Sequence, residues 1–261
     1  MGLLEGKVAL VSGIGPGMGR DISVLFAENG ADLVLGARTE ANVDAVAAEV
    51  EALGRKVVRL KLDITDRASC AAAVQAAVEA FGRIDILVNN AFDDGDHRAF
   101  EDADLDRWRQ AMDTNLFGTL GLTQEVVPVM KEQGDGRIVM INSMSMVKIA
   151  PRYGAYVASK SALAGVTKTL AAELGEYGIR VNAVHPGYIW GDKVEAYFRY
   201  RADKRGVSFE EEYESVAGDA PLRYLPHSSE IAGSVLFFAS DLARPITGQA
   251  LHVNAGHWFG G

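Results

Sequence analysis

The feature that most constrains this chain is an alternation of short, nearly continuous apolar runs with longer stretches of helical spacing. The runs Lys7–Ser12, Asp32–Ala37, Lys56–Leu62, Ile84–Asn89, Arg137–Asn142, Arg180–His185 and Ala250–Asn254 read as strands. Strands apolar on every position belong in a parallel sheet covered on both faces. The stretches Gly17–Asn29, Glu40–Leu53, Asp66–Phe81, Asp104–Lys131, Tyr153–Tyr177 and Ser229–Ala239 read as the covering helices. Thr39 and Asp66 suit N-caps, and Gly30, Gly54 and Gly82 fall where helices end. The expected architecture is α/β, a doubly wound parallel sheet. With 261 residues, no repeat and no linker, one domain over 1–261 is expected.

The segment 188–226 breaks the alternation. It is long, charged and aromatic, so a helical lid is expected rather than a bare loop. Arg199–Arg205 and the following Glu210, Glu211, Glu212 and Glu214 read as its solvated face. A net charge of −9 without a basic face argues against nucleic acid. No apolar run reaches the ~18 residues of a membrane span. The N-terminus lacks the basic and apolar regions of a signal peptide, so a cytoplasmic enzyme is expected. Cys70 has no second cysteine to pair with, and the five histidines show no metal-binding spacing.

The first strand runs into Ser12-Gly13-Ile14-Gly15-Pro16-Gly17-Met18-Gly19 and a helix follows. Glycines permit the tight turn and close backbone approach that a pyrophosphate needs, and the helix start offers free N–H groups. A Rossmann-type nucleotide site is expected here. Further along, Tyr156 and Lys160 lie four apart on one helix face. A nearby ammonium favours the phenolate, so such a tyrosine can give or take a proton at a carbonyl or alcohol oxygen. Ser143, at a strand end, could hydrogen-bond the same oxygen.

The spacing Gly13-x-x-x-Gly17-x-Gly19 resembles that of the compact short-chain dehydrogenase/reductase family. The resemblance continues through Asp63, Asn89-Asn90-Ala91, Asn115, Ser143, Tyr156-x-x-x-Lys160, Pro186-Gly187-x-Ile189 and Thr247-Gly248-Gln249…Val253-Asn254, over nearly the whole chain. It implies NAD(P)-dependent interconversion of a secondary alcohol and a ketone. Gly13, Gly15, Gly17, Met18 and Gly19 would hold the pyrophosphate and adjoining ribose. Asp63 and Ile64 would meet adenine, Asn90 and Ala91 the adenosine ribose, and Ile189, after Pro186-Gly187, the carboxamide. Lys160 would also bind the nicotinamide ribose, and Asn115 would hold a relay water. Relatives pair the 104–131 and 153–177 helices into a homotetramer, to which Leu116, Phe117, Leu120 and Leu122 would contribute.

At the end of the second strand the acid that selects NAD is absent and Arg38 follows, which suits a 2′-phosphate. NADP is the expected cofactor, with NAD an alternative. Two positions depart from the family pattern: Phe92 replaces a glycine and Gly191 replaces a threonine. Phe92 either fills space beside the substrate or is accommodated by a shifted loop. The expected substrate pocket is Phe92, Met144, Met146, Tyr153, Tyr188 and Trp190, which suits a hydrophobic cyclic ketone or alcohol, hydroxysteroid or alicyclic in type. Alternatives are a 3-oxoacyl-thioester reductase and a nucleotide-sensing module without chemistry. Tyr153 has the tyrosine-to-lysine spacing of the related enoyl reductases and is read as a pocket wall, and Ser145 is a substitute for Ser143 with less family-like spacing. His257 is read as able to reach a neighbouring subunit.

Overall fold

The structure, a computed structural model, describes residues 2–259. Seven strands, β1 (Val8–Ser12), β2 (Asp32–Ala37), β3 (Val57–Lys61), β4 (Ile86–Asn89), β5 (Gly136–Ile141), β6 (Ile179–Pro186) and β7 (Ala250–Val253), form one parallel sheet in the order 3-2-1-4-5-6-7. The chain winds outward from β1 through β2 to β3, then restarts at β4 on the other side of β1. That reversal opens a crevice beyond the carboxyl ends of β1 and β4, where ligands bind in such sheets.

Helices α1 (Met18–Glu28), α2 (Glu40–Ala52) and α9 (Ser228–Ala239) cover one face through Ile22, Phe26, Val43, Val46, Ile231 and Val235. On the other face lie α3 (Arg67–Phe81), α5 (Thr119–Gln133) and α6 (Gly154–Leu174), which bury Cys70, Val74, Leu122, Val126, Leu163 and Ala171. Burial pushes the Cys70 thiol up to about 11, so it is an inert packing residue. Asp66 caps α3 by accepting from Ala68 N at 2.9 Å, and Gly82 ends it in the left-handed conformation.

The helix expected over Asp104–Lys131 is not continuous. It runs as α4 (Leu105–Met112), a π-turn over Asp113–Gly118, and then α5. A π-turn inserts one surplus residue without breaking the apolar spacing, so periodicity does not reveal it. The lid contains α7 (Asp192–Arg205) and α8 (Phe209–Ala217) around a small core of Phe198, Val216, Ala217 and Leu225. Its charged face is not wholly solvated: Glu212 is fully buried and ion-paired with both Arg201 and Arg205. Among the described residues no helix is long and apolar enough to cross a membrane.

Candidate active site

At the switch point, Gly13 follows β1 with φ +78°, and a Cβ there would lie 2.5 Å from the Ala91 backbone. Gly19 is as tightly placed, its notional Cβ being 2.5 Å from Gly13 O. Gly15 and Gly17, by contrast, face open space. Asn90 Nδ2 donates to Gly13 O at 2.8 Å, tying the β4 loop to the turn. No side chain caps α1, so its first N–H groups and dipole remain for an anion.

Beside this turn is a cleft of ≈ 180 Å³ whose lining includes Arg38, Asp63, Ile64, Asn90, Ala91 and Phe92. Asp63 is held below the usual carboxylate range by hydrogen bonds from Thr65, with a contribution from the Arg38 charge. Arg38 is exposed and has no ion-pair partner within 4 Å among the described residues. A cradle of glycines, an uncapped helix start, an anionic acceptor and a free guanidinium fit an adenine dinucleotide. Phe92, 55% exposed, lines this cleft.

The reacting groups converge at the carboxyl end of β5 and the start of α6. Lys160 is buried and its Nζ donates to Ile141 O at 2.8 Å, with Nζ 5.7 Å from the centre of the Tyr156 ring. Burial lowers the Lys160 ammonium to about 7. Burial likewise raises the Tyr156 phenol to about 12, opposed by a hydrogen bond with Ser143 and reinforced by the Asp94 charge. Ser143 Oγ lies 2.6 Å from Ser145 Oγ, so the two serines share one polar spot next to Tyr156.

Asn115 sits in the π-turn and is fully buried. Its Oδ1 accepts from Asp93 N at 2.7 Å, while Nδ2 donates to Asp93 O at 2.7 Å and to Ser159 Oγ at 2.9 Å. Both ends of the amide are therefore engaged, and its immediate effect is to clamp the 93 loop onto the α6 side of the site. Ser159 in turn donates to Tyr156 O.

The six residues expected around the substrate do not all meet. Met144 is buried under Gly187 and Asn254, and Met146 is partly buried on the same turn. Tyr153 packs edge-on against His97, with ring centres 4.6 Å apart. Tyr188 lies between Phe198 and His257. Trp190 instead turns into the lid, against Phe198, Phe209 and Tyr213, because its backbone is bridged to His227 and its N–H donates to Pro226 O. Phe92 points the loop the other way, to the nucleotide cleft. The expectation for His257 is corrected too: it is buried, with Nε2 2.8 Å from Val216 O, so it packs on the lid of its own chain. Gly191, at φ 164°, is extended, and a Cβ there would meet nothing within 4 Å.

Pro186 ends β6, and Gly187 N donates to Val253 O at 3.1 Å. Ile189 packs against the core under α9. Sequence reasoning did not single out Asp94, His97 or Ser159, since only the folded 93–97 turn brings the first two to α6, and Ser159 is marked only by its bond from Asn115. Among the described residues no group of three His, Cys, Asp or Glu side chains could hold a metal.

A switch-point nucleotide cradle beside a serine, a tyrosine and a buried lysine defines a nicotinamide-dependent oxidoreductase. Residues 13–257 match the family model described as enoyl-(acyl carrier protein) reductase. The chain is 36% identical over 253 residues to the 3-oxoacyl-(acyl carrier protein) reductase of Thermotoga maritima, covering 97% of this chain and 98% of that one. It is 37% identical over 262 residues to the trans-4-hydroxycyclohexanecarboxylate dehydrogenase of Sinomonas cyclohexanicum, covering 97% and 93%. The structure of an NAD+-bound xylitol dehydrogenase superposes with a TM-score of 0.90 at 30% identity, covering 97% of this chain and 99% of that one. The chain belongs to the short-chain dehydrogenase/reductase family, and it is an NAD(P)-dependent oxidoreductase acting on CH–OH donors.

Proposed function

We propose that this chain interconverts a hydrophobic ring ketone and the corresponding secondary alcohol, with NADP preferred over NAD. The observation that supports this chemistry is that Ser143, Tyr156 and a buried Lys160 lie near one another at the same sheet end as the glycine turn. The nicotinamide, when bound, supplies or accepts the hydride. Tyr156 donates its phenol proton to the substrate oxygen in reduction and removes it in oxidation. Ser143, backed by Ser145, donates a hydrogen bond to the same oxygen as charge develops. Lys160 stabilises the phenolate and would hold the cofactor ribose. Asn115 is a positioning residue, holding Asp93 and Ser159 around Tyr156.

The ring preference is supported by the apolar bodies of Tyr153 and Tyr188 and by the substrate named for the cyclohexane relative. The T. maritima relative favours a second reading, reduction of a 3-oxoacyl thioester. An acidic carrier protein needs a basic rim, and this chain carries a net charge of −9. A homotetramer is the proposed assembly, and Phe117 (59% exposed) and Leu105 are available to it, whereas Leu116 and Leu122 are buried within the protomer. A mass of one chain by light scattering would exclude it.

The test is turnover of ring ketones and of an acetoacetyl thioester with each reduced cofactor, in the parent and in Tyr156→Phe. The parent should favour the ring ketones with NADPH, and the variant should lose a factor of about 10² or more while still binding cofactor. Near-normal turnover in the variant would move the proton transfer to Tyr153, the enoyl-reductase arrangement.

A further inference from the structure

The turn between Phe92 and Phe100 is held against the active site more firmly than its surface position requires. Asn115 clamps both the N–H and the C=O of Asp93, and Asp93 Oδ1 accepts from Gly95 N at 2.7 Å. Arg107 also reaches the Asp93 carboxylate, at 3.1 Å. Gly95 then presses onto the first turn of α6. It has φ +78°, and a Cβ there would lie 3.0 Å from Ala155 Cβ and 3.5 Å from Tyr156 N. The residue just before that contact is Asp94.

Asp94 takes no part in holding the turn. Among the described residues its carboxylate has one polar partner, His97, whose Nε2 is 3.2 Å away. His97 is seated edge-on against Tyr153. The Asp94 side chain is 66% exposed, yet its charge is felt at both Tyr153 and Tyr156, raising each phenol. The hydroxyls of Tyr188 and Tyr197 also lie within electrostatic reach of Tyr153. The groups gathered beside Tyr156 on this side therefore include apolar ring faces, phenol hydroxyls and a carboxylate braced by an imidazole.

We propose that Asp94, braced by His97, is a specificity determinant that accepts a hydrogen bond from a hydroxyl on the part of the substrate remote from the reacting carbon, and that disfavours a carboxylate there. The proposal deepens the ring-ketone reading and rests on it for the identity of the reacting group. An alcohol O–H bonded to an ionised acceptor gains more than a bond between neutral groups. A carboxylate in the same place meets like charge and loses hydration with nothing to replace it. The preferred substrate is thus a ring with one oxidisable hydroxyl or ketone and a second, distal hydroxyl.

The test uses ring probes with no ketone or aldehyde to reduce, titrated calorimetrically against the full-length protein saturated with NADPH: phenol, 4-(hydroxymethyl)phenol and 4-hydroxybenzoate. The phenol oxygen stands for the reacting oxygen near Ser143 and Tyr156. In the parent, 4-(hydroxymethyl)phenol should bind about tenfold more tightly than 4-hydroxybenzoate, the size of one hydrogen bond to a charged group. Asp94→Asn removes the charge, keeps the shape and breaks no bond that holds the turn. In that variant the two affinities should come within about threefold of each other, with phenol and cofactor binding unchanged. Equal affinities in the parent, a preference that survives in the variant, or no binding of any probe would overturn the proposal. If the preference is found as expected but no ring ketone is turned over, only the ring-ketone reading fails.

Discussion

Glu212 is the most consequential residue of the lid that no catalytic argument touches. Its side chain has 0% exposure, Oε1 is 2.7 Å from Arg201 Nε, and Oε2 accepts from Arg205 Nη1 at 2.6 Å. The two arginines sit on α7 and the glutamate on α8, so this triad joins the two lid helices. Glu212→Gln keeps the shape but leaves two guanidinium groups without their counter-charge. Breaking a buried pair costs about 3–5 kcal/mol, and the low end applies because both arginines are partly exposed and can regain water. About 3 kcal/mol is a factor of about 100 in the local opening equilibrium. Phe198, Val216, Ala217 and Leu225 form a core separate from the two that cover the sheet, so the loss should stay in the lid. Hydrogen exchange should show α7 and α8 amides losing about two orders of magnitude of protection while β1, β4 and β5 keep theirs. KM for the ring substrate should rise with kcat little changed. Uniform loss across the sheet, or unaltered lid exchange, would refute the view of the triad as a local latch.

The other predictions concern cofactor and proton. Arg38→Ala should weaken NADPH by about 1.5–3 kcal/mol and leave NADH nearly unchanged, measured by the fluorescence of the bound reduced cofactor; equal losses would remove the basis for NADP. Phe92→Gly should weaken cofactor binding by about 1 kcal/mol, as expected for loss of aromatic cover at the cleft, without altering the ranking of ring substrates. A change of ranking with cofactor affinity intact would return Phe92 to the reacting carbon. With the Tyr156 phenol raised to about 12, alcohol oxidation requires a form that grows as pH rises. Its kcat/KM should therefore climb about tenfold per unit between pH 7 and 9, while ketone reduction, which uses the protonated form, stays level. Oxidation that is flat across this window would mean that the bound cofactor and Lys160 already hold the phenolate.

Much of this arrangement is legible in the sequence, for identifiable reasons. Asp32–Ala37 is both the expected and the observed second strand, because an apolar run between a glycine turn and a helix cap has one reading. The turn at Gly13 and the shared helix face of Tyr156 and Lys160 follow from the run of strands and from helix spacing, whereas Asp63 is reached only through the family resemblance. What was not legible depends on side-chain direction beyond a regular element. Phe92 and Trp190 leave strand ends by loops whose course is set by Asn115 and by His227, far off in sequence. Glu212 stands in a run of exposed-looking acids, and only the folded lid brings Arg201 and Arg205 to it.

The surplus residue of the π-turn makes the loop after β4 depend on the exact length of this part of the chain. A π-turn takes up one residue more than an α-helical turn would, while the helices on either side keep their register, so deleting one position from 113–118 would restore a regular helix and leave α5 facing the sheet. Leu122, Val126 and Met130 would stay on the sheet, but the bulge that carries Asn115 to Asp93 would be gone. A single-codon deletion there would act on the loop after β4 and on the substrate mouth together, while the covering of the sheet stays as it is. Length, more than composition, is what evolution or an engineer must preserve between α4 and α5.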